Sequence, residues 1–321
     1  MGIETVRAVW SFWSKPYYTG RGVRWRAPIH SYLAWGLSLR LARAHYPHTV
    51  LVTDSPGKAL LVGKLGLSFE HVSTELDRLQ DADPALWALG KLVAYSLQDE
   101  PFVHLDNDVF LWRPLPARIT SAPVLAQHPE RPYLTGPQVI EDAFAAAGVS
   151  LPAEWQWSRS LAGHHSRPAN CGIFGGINTG FIQCYAGLAL DVALNPNHSA
   201  AWGAIANRET LNPTMEQFLL SACLDFHRFD PGSPHRGLSV RYLFPSHTAA
   251  YDAEEAARLG FTHLLGPAAK QDSEITARLE QRVRSETPTF YRRCKRVAGS
   301  SGPRRPSAQR ATGELRPRGT R

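Results

Sequence analysis

FVHLDNDVFLW, residues 102–112, opens as a short apolar run and then sets two carboxylates, Asp106 and Asp108, one residue apart before the apolar pattern resumes. Such a run reads as a buried strand that ends at a polar turn. Upstream, DPALWALGKLVAYSLQ (83–98) has helical periodicity with Pro84 at its first turn. HTVLVTD (48–54) is a β-branched strand ending on Asp54, SPGKALLVGKLG (55–66) a helix stopped by Gly66, and LSFEHVST (67–74) another strand. Before these lie a strand at 4–10 and a helix over PIHSYLAWGLSLRLARAHY (28–46), with Ile29, Leu33, Leu37, Leu41 and Ala44 at helical spacing. Repeated strand-helix units predict an α/β protein with a mainly parallel sheet covered by helices on both faces. Ligands of such sheets sit at the carboxyl ends of the strands, where Asp54 and Asp106 fall.

Beyond the acids the pattern is less regular. Residues 113–168 are rich in Pro and read as an irregular lobe with one helix at 138–148. ANCGIFGGI (169–177) is strand-like, and helices are expected near 178–193 and over MEQFLLSACLDFH (215–227). A strand at 238–244, the string HLLGPAAK (263–270) and a last helix over 272–294 complete one domain, 1–294.

The chain has 321 residues, 43% hydrophobic and 20% charged, which suffices for a full core and excludes wholesale disorder. Its net charge of +7 is unevenly placed. Ten of the 35 Lys and Arg lie in 291–321 beside one acid, which leaves 25 basic against 27 acidic groups elsewhere. A near-neutral body argues against a dedicated nucleic-acid reader. The basic tail, 295–321, has little to bury and is expected to be disordered, either as a solvated end or as an arm touching anionic membrane. The start lacks a signal peptide's apolar core and no stretch is long enough to span a bilayer, so a soluble cytoplasmic protein is expected. The four cysteines show no metal-finger spacing and are expected to be free thiols.

Two carboxylates one residue apart at the end of a buried strand are costly unless a cation stands near them. Mg²⁺ or Mn²⁺ suits such oxygen-rich sites and completes its shell with phosphate oxygens and water. The plain alternative is turn chemistry. Three further strings have the same two-sided character. Asn170 precedes what reads as a small-residue turn, Glu216 and Gln217 stand at the start of an apolar helix where Glu216 could simply cap it, and His263 shares eight residues with a Gly-Pro turn and Lys270.

Taken in order, strand and Asp-x-Asp, Asn-x-Gly, an acid-Gln pair, and His-x-x-Gly with a following Lys, the chain resembles the retaining GT-A glycosyltransferases of family 8, the group of glycogenin and lipooligosaccharide galactosyltransferase. SFWSKP and WALGKLVAYSLQDEPFVHLDNDVFLW are also similar to an uncharacterised bacterial domain family, domain of unknown function 6734, over residues 5–291. The resemblance implies a GT-A, Rossmann-type fold and metal-dependent transfer from a nucleotide-diphospho-sugar, foremost a UDP-sugar, with retention. The acceptor stays open among glycan, lipid and protein, and no specific nucleic-acid partner is implied. It implies that Asp106, Asp108 and His263 hold Mn²⁺ or Mg²⁺, that Lys91 and Lys270 face the diphosphate, that Asn170 touches the transferred sugar, and that Glu216 and Gln217 stand at the reacting carbon. Trp13 and Lys15 would line the donor pocket, and 113–168 would receive the acceptor.

Glu216 stands where the family has Asp, and Lys270 lies seven residues after His263 rather than six, with Gln271 and Asp272 following in place of Pro-Trp. Two alternatives remain from the sequence: a haloacid dehalogenase-type phosphatase, which also begins with strand-Asp-x-Asp, and a non-catalytic nucleotide- or sugar-binding module.

Overall fold

The structure is a computed structural model that describes residues 6–22, 24–131, 135–160 and 167–300. Its strands, in chain order, are β1 (Arg7–Phe12), β2 (Thr49–Thr53), β3 (His71–Ser73), β4 (Phe102–Leu105), β5 (Val109–Leu111), β6 (Val124–Pro129), β7 (Ala169–Gly176), β8 (Val240–Tyr242) and β9 (Phe261–His263). Seven of them form one sheet in the order β3-β2-β1-β4-β7-β6-β8, and β5 pairs with β9 in a separate ribbon. Neighbours are parallel from β3 to β4 and between β6 and β8, whereas β7 runs against both β4 and β6. The first residues of β7 therefore lie beside the last residues of β6, and the middle of β7, at Ile173, lies beside Leu105 at the end of β4.

The sequence explains the layering. All five residues of β2, TVLVT, are buried, as expected of a strand covered on both faces. Along β1 the side chains alternate: Val9 joins a core with Val52, Leu92, Phe174 and Tyr185, while Ala8 and Trp10 join another with Leu33, Leu37, Val103 and Leu105. The first core packs under the helices Leu89–Ser96, Thr179–Leu194 and Leu219–Phe229. The second lies under the helix Pro28–Arg43, which starts on its proline, and under Ser273–Glu286 and Pro288–Ser300. The result is a mainly parallel sheet with helices on both faces.

Three expectations need correction. Residues 83–88 are turns and the helix begins at Leu89, because long-range bonds hold the turns: Asn212 accepts from Ala88 N and donates to Ala85 O, both at 2.8 Å, and Arg208 pairs with Asp83 at 2.7 Å. Residues 113–168 are not irregular throughout, since 124–129 form a strand inside the sheet and Thr135–Ala146 and Ala153–Ser160 are helices. The last helix, expected over 272–294, is two, Ser273–Glu286 and Pro288–Ser300, parted at Thr287, and the second runs to Ser300 with Val297 buried. The rest of the basic tail lies outside the described residues. Among these, no helix is long and apolar enough to cross a membrane.

Candidate active site

The chain leaves β4 at Leu105 and turns back at once. Val109 N–H donates to Asp106 O at 3.0 Å, and Asp106 N–H donates to Gly172 O at 3.0 Å, which pins the turn to β7. The ribbon then brings in the histidine: β5 and β9 are antiparallel with Val109 opposite His263, and Leu264 N–H donates to Asp108 O at 3.1 Å. One ligand atom each of Asp106, Asp108 and His263 lies within 4.8 Å of the others. His263 Nε2 is 3.6 Å from Asp108 Oδ1.

The other ring nitrogen of His263 donates to Gln127 Oε1 at 2.7 Å. An amide oxygen can only accept, so Nδ1 carries the proton and Nε2 keeps its lone pair for a ligand. Gly172 makes room for this arrangement. A Cβ there would stand 2.3 Å from both Gln127 Oε1 and His263 Cε1.

Two lysines balance the acids. Lys91 Nζ lies 2.8 Å from Asp106 Oδ1 and 3.1 Å from Glu216 Oε1, and Lys270 Nζ lies 2.7 Å from Asp108 Oδ2. Glu216 is buried and also accepts from Tyr95 OH at 2.8 Å, so it faces the cluster and does not cap its helix. Burial disfavours the Lys91 ammonium, yet the Asp106 and Glu216 carboxylates outweigh it and hold its pKa above the ordinary lysine value. Burial, reinforced by Asp108 and Glu216, pushes the Asp106 carboxyl up against the pull of Lys91. At Asp108 the order reverses: burial raises its pKa, but Lys270 and His263 together hold it below the usual carboxylate range. Burial, helped by both lysines, lowers His263 against the pull of the two aspartates, which favours the neutral imidazole a ligand must be.

Three carboxylates thus face two ammonium groups and a neutral imidazole. One excess negative charge in a buried centre favours a cation, and a carboxylate pair with one imidazole suits Mg²⁺ or Mn²⁺. The acids open onto a cleft of about 820 Å³ lined by Trp13, Tyr17, Trp25 and Trp87 with Lys91 and Lys270. Arg21, Arg24 and Arg26 line it too, so aromatic walls meet converging charges, as in a site for a charged small molecule.

Asp106, Asp108, His263, Lys91, Lys270 and Glu216 are thus brought together, and Trp13 lines the cleft with Asp106, Asp108, Lys91 and Lys270. Lys15 is not placed there: its Nζ donates to Gln80 O at 2.6 Å and Ala82 O at 2.8 Å, tying down the neighbouring loop. Asn170 sits within the buried strand β7 and not ahead of a turn. Its Oδ1 accepts from Gly172 N at 3.0 Å and its Nδ2 donates to Glu130 Oε1 at 2.7 Å. Gln217 is half-buried on the helical turn Thr214–Phe218, where its carbonyl accepts from Ser221 Oγ at 3.2 Å. Asp54 caps the following helix, accepting from Gly57 N at 2.9 Å and Ser14 Oγ at 2.7 Å. Sequence reasoning missed Gln127 and the aromatic walls Tyr17, Trp25 and Trp87. The one available signal was a glutamine inside the apolar run VLAQ.

No curated protein matches the chain. The solved structure of mouse xyloside xylosyltransferase 1 in its apo form is similar at a TM-score of 0.32 and 13% identity, over 79% of this chain and 93% of that one. A family of unknown function, DUF6734, matches residues 6–297, and the chain belongs to it.

Proposed function

We propose that the chain is a metal-dependent glycosyltransferase of GT-A type, similar to the retaining enzymes of family 8. It would transfer a sugar from a nucleotide-diphospho-sugar, foremost a UDP-sugar, to a glycan, lipid or protein acceptor. The observation that carries this reading is the convergence of Asp106, Asp108 and His263 within 4.8 Å at the edge of an aromatic-walled cleft.

Asp106, Asp108 and His263 would hold Mn²⁺ or Mg²⁺, which supplies charge against the departing diphosphate. Lys270, paired with Asp108 and lying over the Trp25 ring, can exchange that carboxylate for a phosphate oxygen by a small side-chain movement. Lys91 keeps Asp106 and Glu216 from repelling each other. The cleft aromatics offer stacking faces for a nucleobase. Asn170, Glu216 and Gln217 are assigned to the sugar side, and 113–168 to the acceptor. The phosphatase alternative is weaker because its signature carries Thr or Val two residues after the second Asp, where this chain has Phe110.

Thermal unfolding in the presence of nucleoside diphosphates and nucleotide-sugars, with and without Mn²⁺, tests the proposal. A donor at 100 times its dissociation constant should stabilise the fold by about 2.7 kcal/mol, and only with the ion present. If no nucleotide moves the midpoint with either Mn²⁺ or Mg²⁺, the reading fails.

A further inference from the structure

A second cluster lies at the same edge of the sheet, on the far side of β7 from Asp106. His128 comes from the end of β6, Glu130 is the residue that follows the strand, and His247 comes from the first turn of the short helix His247–Ala250. One donor atom of each lies within 4.8 Å of the others. The geometry points to a second metal site, His128–Glu130–His247, selective for a Zn²⁺-class ion and built from none of Asp106, Asp108 and His263.

The His128 ring is the decisive observation. It is completely buried, and neither Nδ1 nor Nε2 has a hydrogen-bond partner. A buried imidazole with both nitrogens unsatisfied is costly, and buried polar groups of this kind call for an explanation. Its Nε2 lies 3.4 Å from Glu130 Oε1, and His247 Nε2 lies 3.6 Å from the other oxygen, Glu130 Oε2. Two imidazole nitrogens thus face the two oxygens of one carboxylate at distances too long for good hydrogen bonds. An ion held among the three groups would satisfy His128 and draw the set together.

The surroundings also resemble those of a metal centre. Asn170 Nδ2 donates to Glu130 Oε1 at 2.7 Å and so orients the carboxylate, as partners of metal ligands commonly do. Tyr251 stacks on the His247 ring, 4.7 Å between centroids, and fixes its plane. The donor set separates this cluster from the first. Two imidazoles and one carboxylate match the three-ligand zinc pattern, whereas two carboxylates and one imidazole favour the harder Mg²⁺ or Mn²⁺. Glu130 and His247 keep 19% and 28% of their side chains exposed, so an ion can enter and one coordination position stays free for water or an oxygen of a bound molecule.

Co²⁺ titration of the full, chelator-stripped chain tests the site, because four-coordinate Co²⁺ reports imidazole-rich coordination through its visible absorption. The wild type should develop that absorption and one equivalent of Zn²⁺ should abolish it. Asp108→Asn should leave it intact and His247→Ala should remove it, with far-ultraviolet circular dichroism confirming the fold. Glu130→Gln, which keeps the side chain's shape, should weaken Zn²⁺ binding by more than the ~10–100-fold expected of an outer partner. Absorption that survives both His247→Ala and Glu130→Gln, that vanishes only in Asp108→Asn, or that never develops overturns the proposal.

Discussion

His263 donates its Nδ1 proton to Gln127 Oε1 at 2.7 Å, and that bond turns Nε2 toward Asp108. Neither group is near the other in sequence, so the strand β6 and the ribbon β5-β9 must both be in place for it to form. Gln127→Leu should therefore keep the three candidate ligands yet weaken Mn²⁺ binding roughly 10–100-fold, the usual cost of losing a ligand's outer partner. Calorimetric titration with Mn²⁺ checks this, and wild-type affinity in the variant would reduce the bond to packing.

Gly172→Ala should act on the same histidine, at the ring edge that meets Gln127. Its new methyl would stand 2.3 Å from His263 Cε1 and Gln127 Oε1, so one of the two must move. Overpacking of this kind costs about 1–3 kcal/mol. The expected result is a lowered unfolding midpoint together with weakened Mn²⁺ binding, measured by thermal denaturation and titration on the same sample.

Asp108→Asn removes a candidate ligand and leaves the residue's size nearly unchanged. Sugar transfer or donor hydrolysis should fall at least ~10²-fold while circular dichroism stays that of the wild type. An unchanged rate would remove Asp108 from the metal assignment.

Lys91→Met should be felt first as lost stability. Asp106 and Glu216 would then face each other in a buried site without their shared cation, and breaking such a set costs about 3–5 kcal/mol. Adding Mn²⁺ should recover part of the loss in chemical denaturation. A midpoint equal to the wild type's would mean that water already screens the two acids.

Acid should weaken the fold through its buried imidazoles. His104 is buried, its Nε2 paired with Ser11 Oγ, and burial with the nearby Lys91 charge holds its pKa well below the ordinary value; His263 is lowered as well. Both are depressed in the folded state, so the unfolded chain binds the extra protons. Their contribution is complete above the unfolded value of about 6.5 and is lost as pH falls below it, by up to ~1.4 kcal/mol per unit for each group. Mn²⁺ affinity should hold through the start of that window and decline only at lower pH, where the folded His263 itself takes up a proton. Denaturant titrations between pH 7.5 and 5 measure the loss of stability, and calorimetric Mn²⁺ titrations carried to lower pH measure the loss of affinity.

The first hundred residues were legible because their signals are local: β-branched TVLVT is a covered strand, and Pro28 starts the helix it precedes. The stretch 83–88 was misread because Asn212 and Arg208, far along the chain, hold it in turns that its own periodicity does not favour. Strand β6 escaped notice because prolines bracket it and Gln127 and His128 interrupt its apolar pattern, although those polar groups are what it carries to the sites. The acids and His263 could be read from motif order. Lys15 could not, since only the tertiary fold puts the carbonyls of Gln80 and Ala82 within its reach.

The ribbon that carries His263 has a consequence for how the protein matures. During synthesis the ribosome releases Asp106 and Asp108 long before Phe261–His263, the strand that completes their neighbourhood. A nascent or prematurely terminated chain would display the two acids without their imidazole, and its grip on a cation should be correspondingly poor. Tight retention of that ion would then mark a polypeptide translated through its last third.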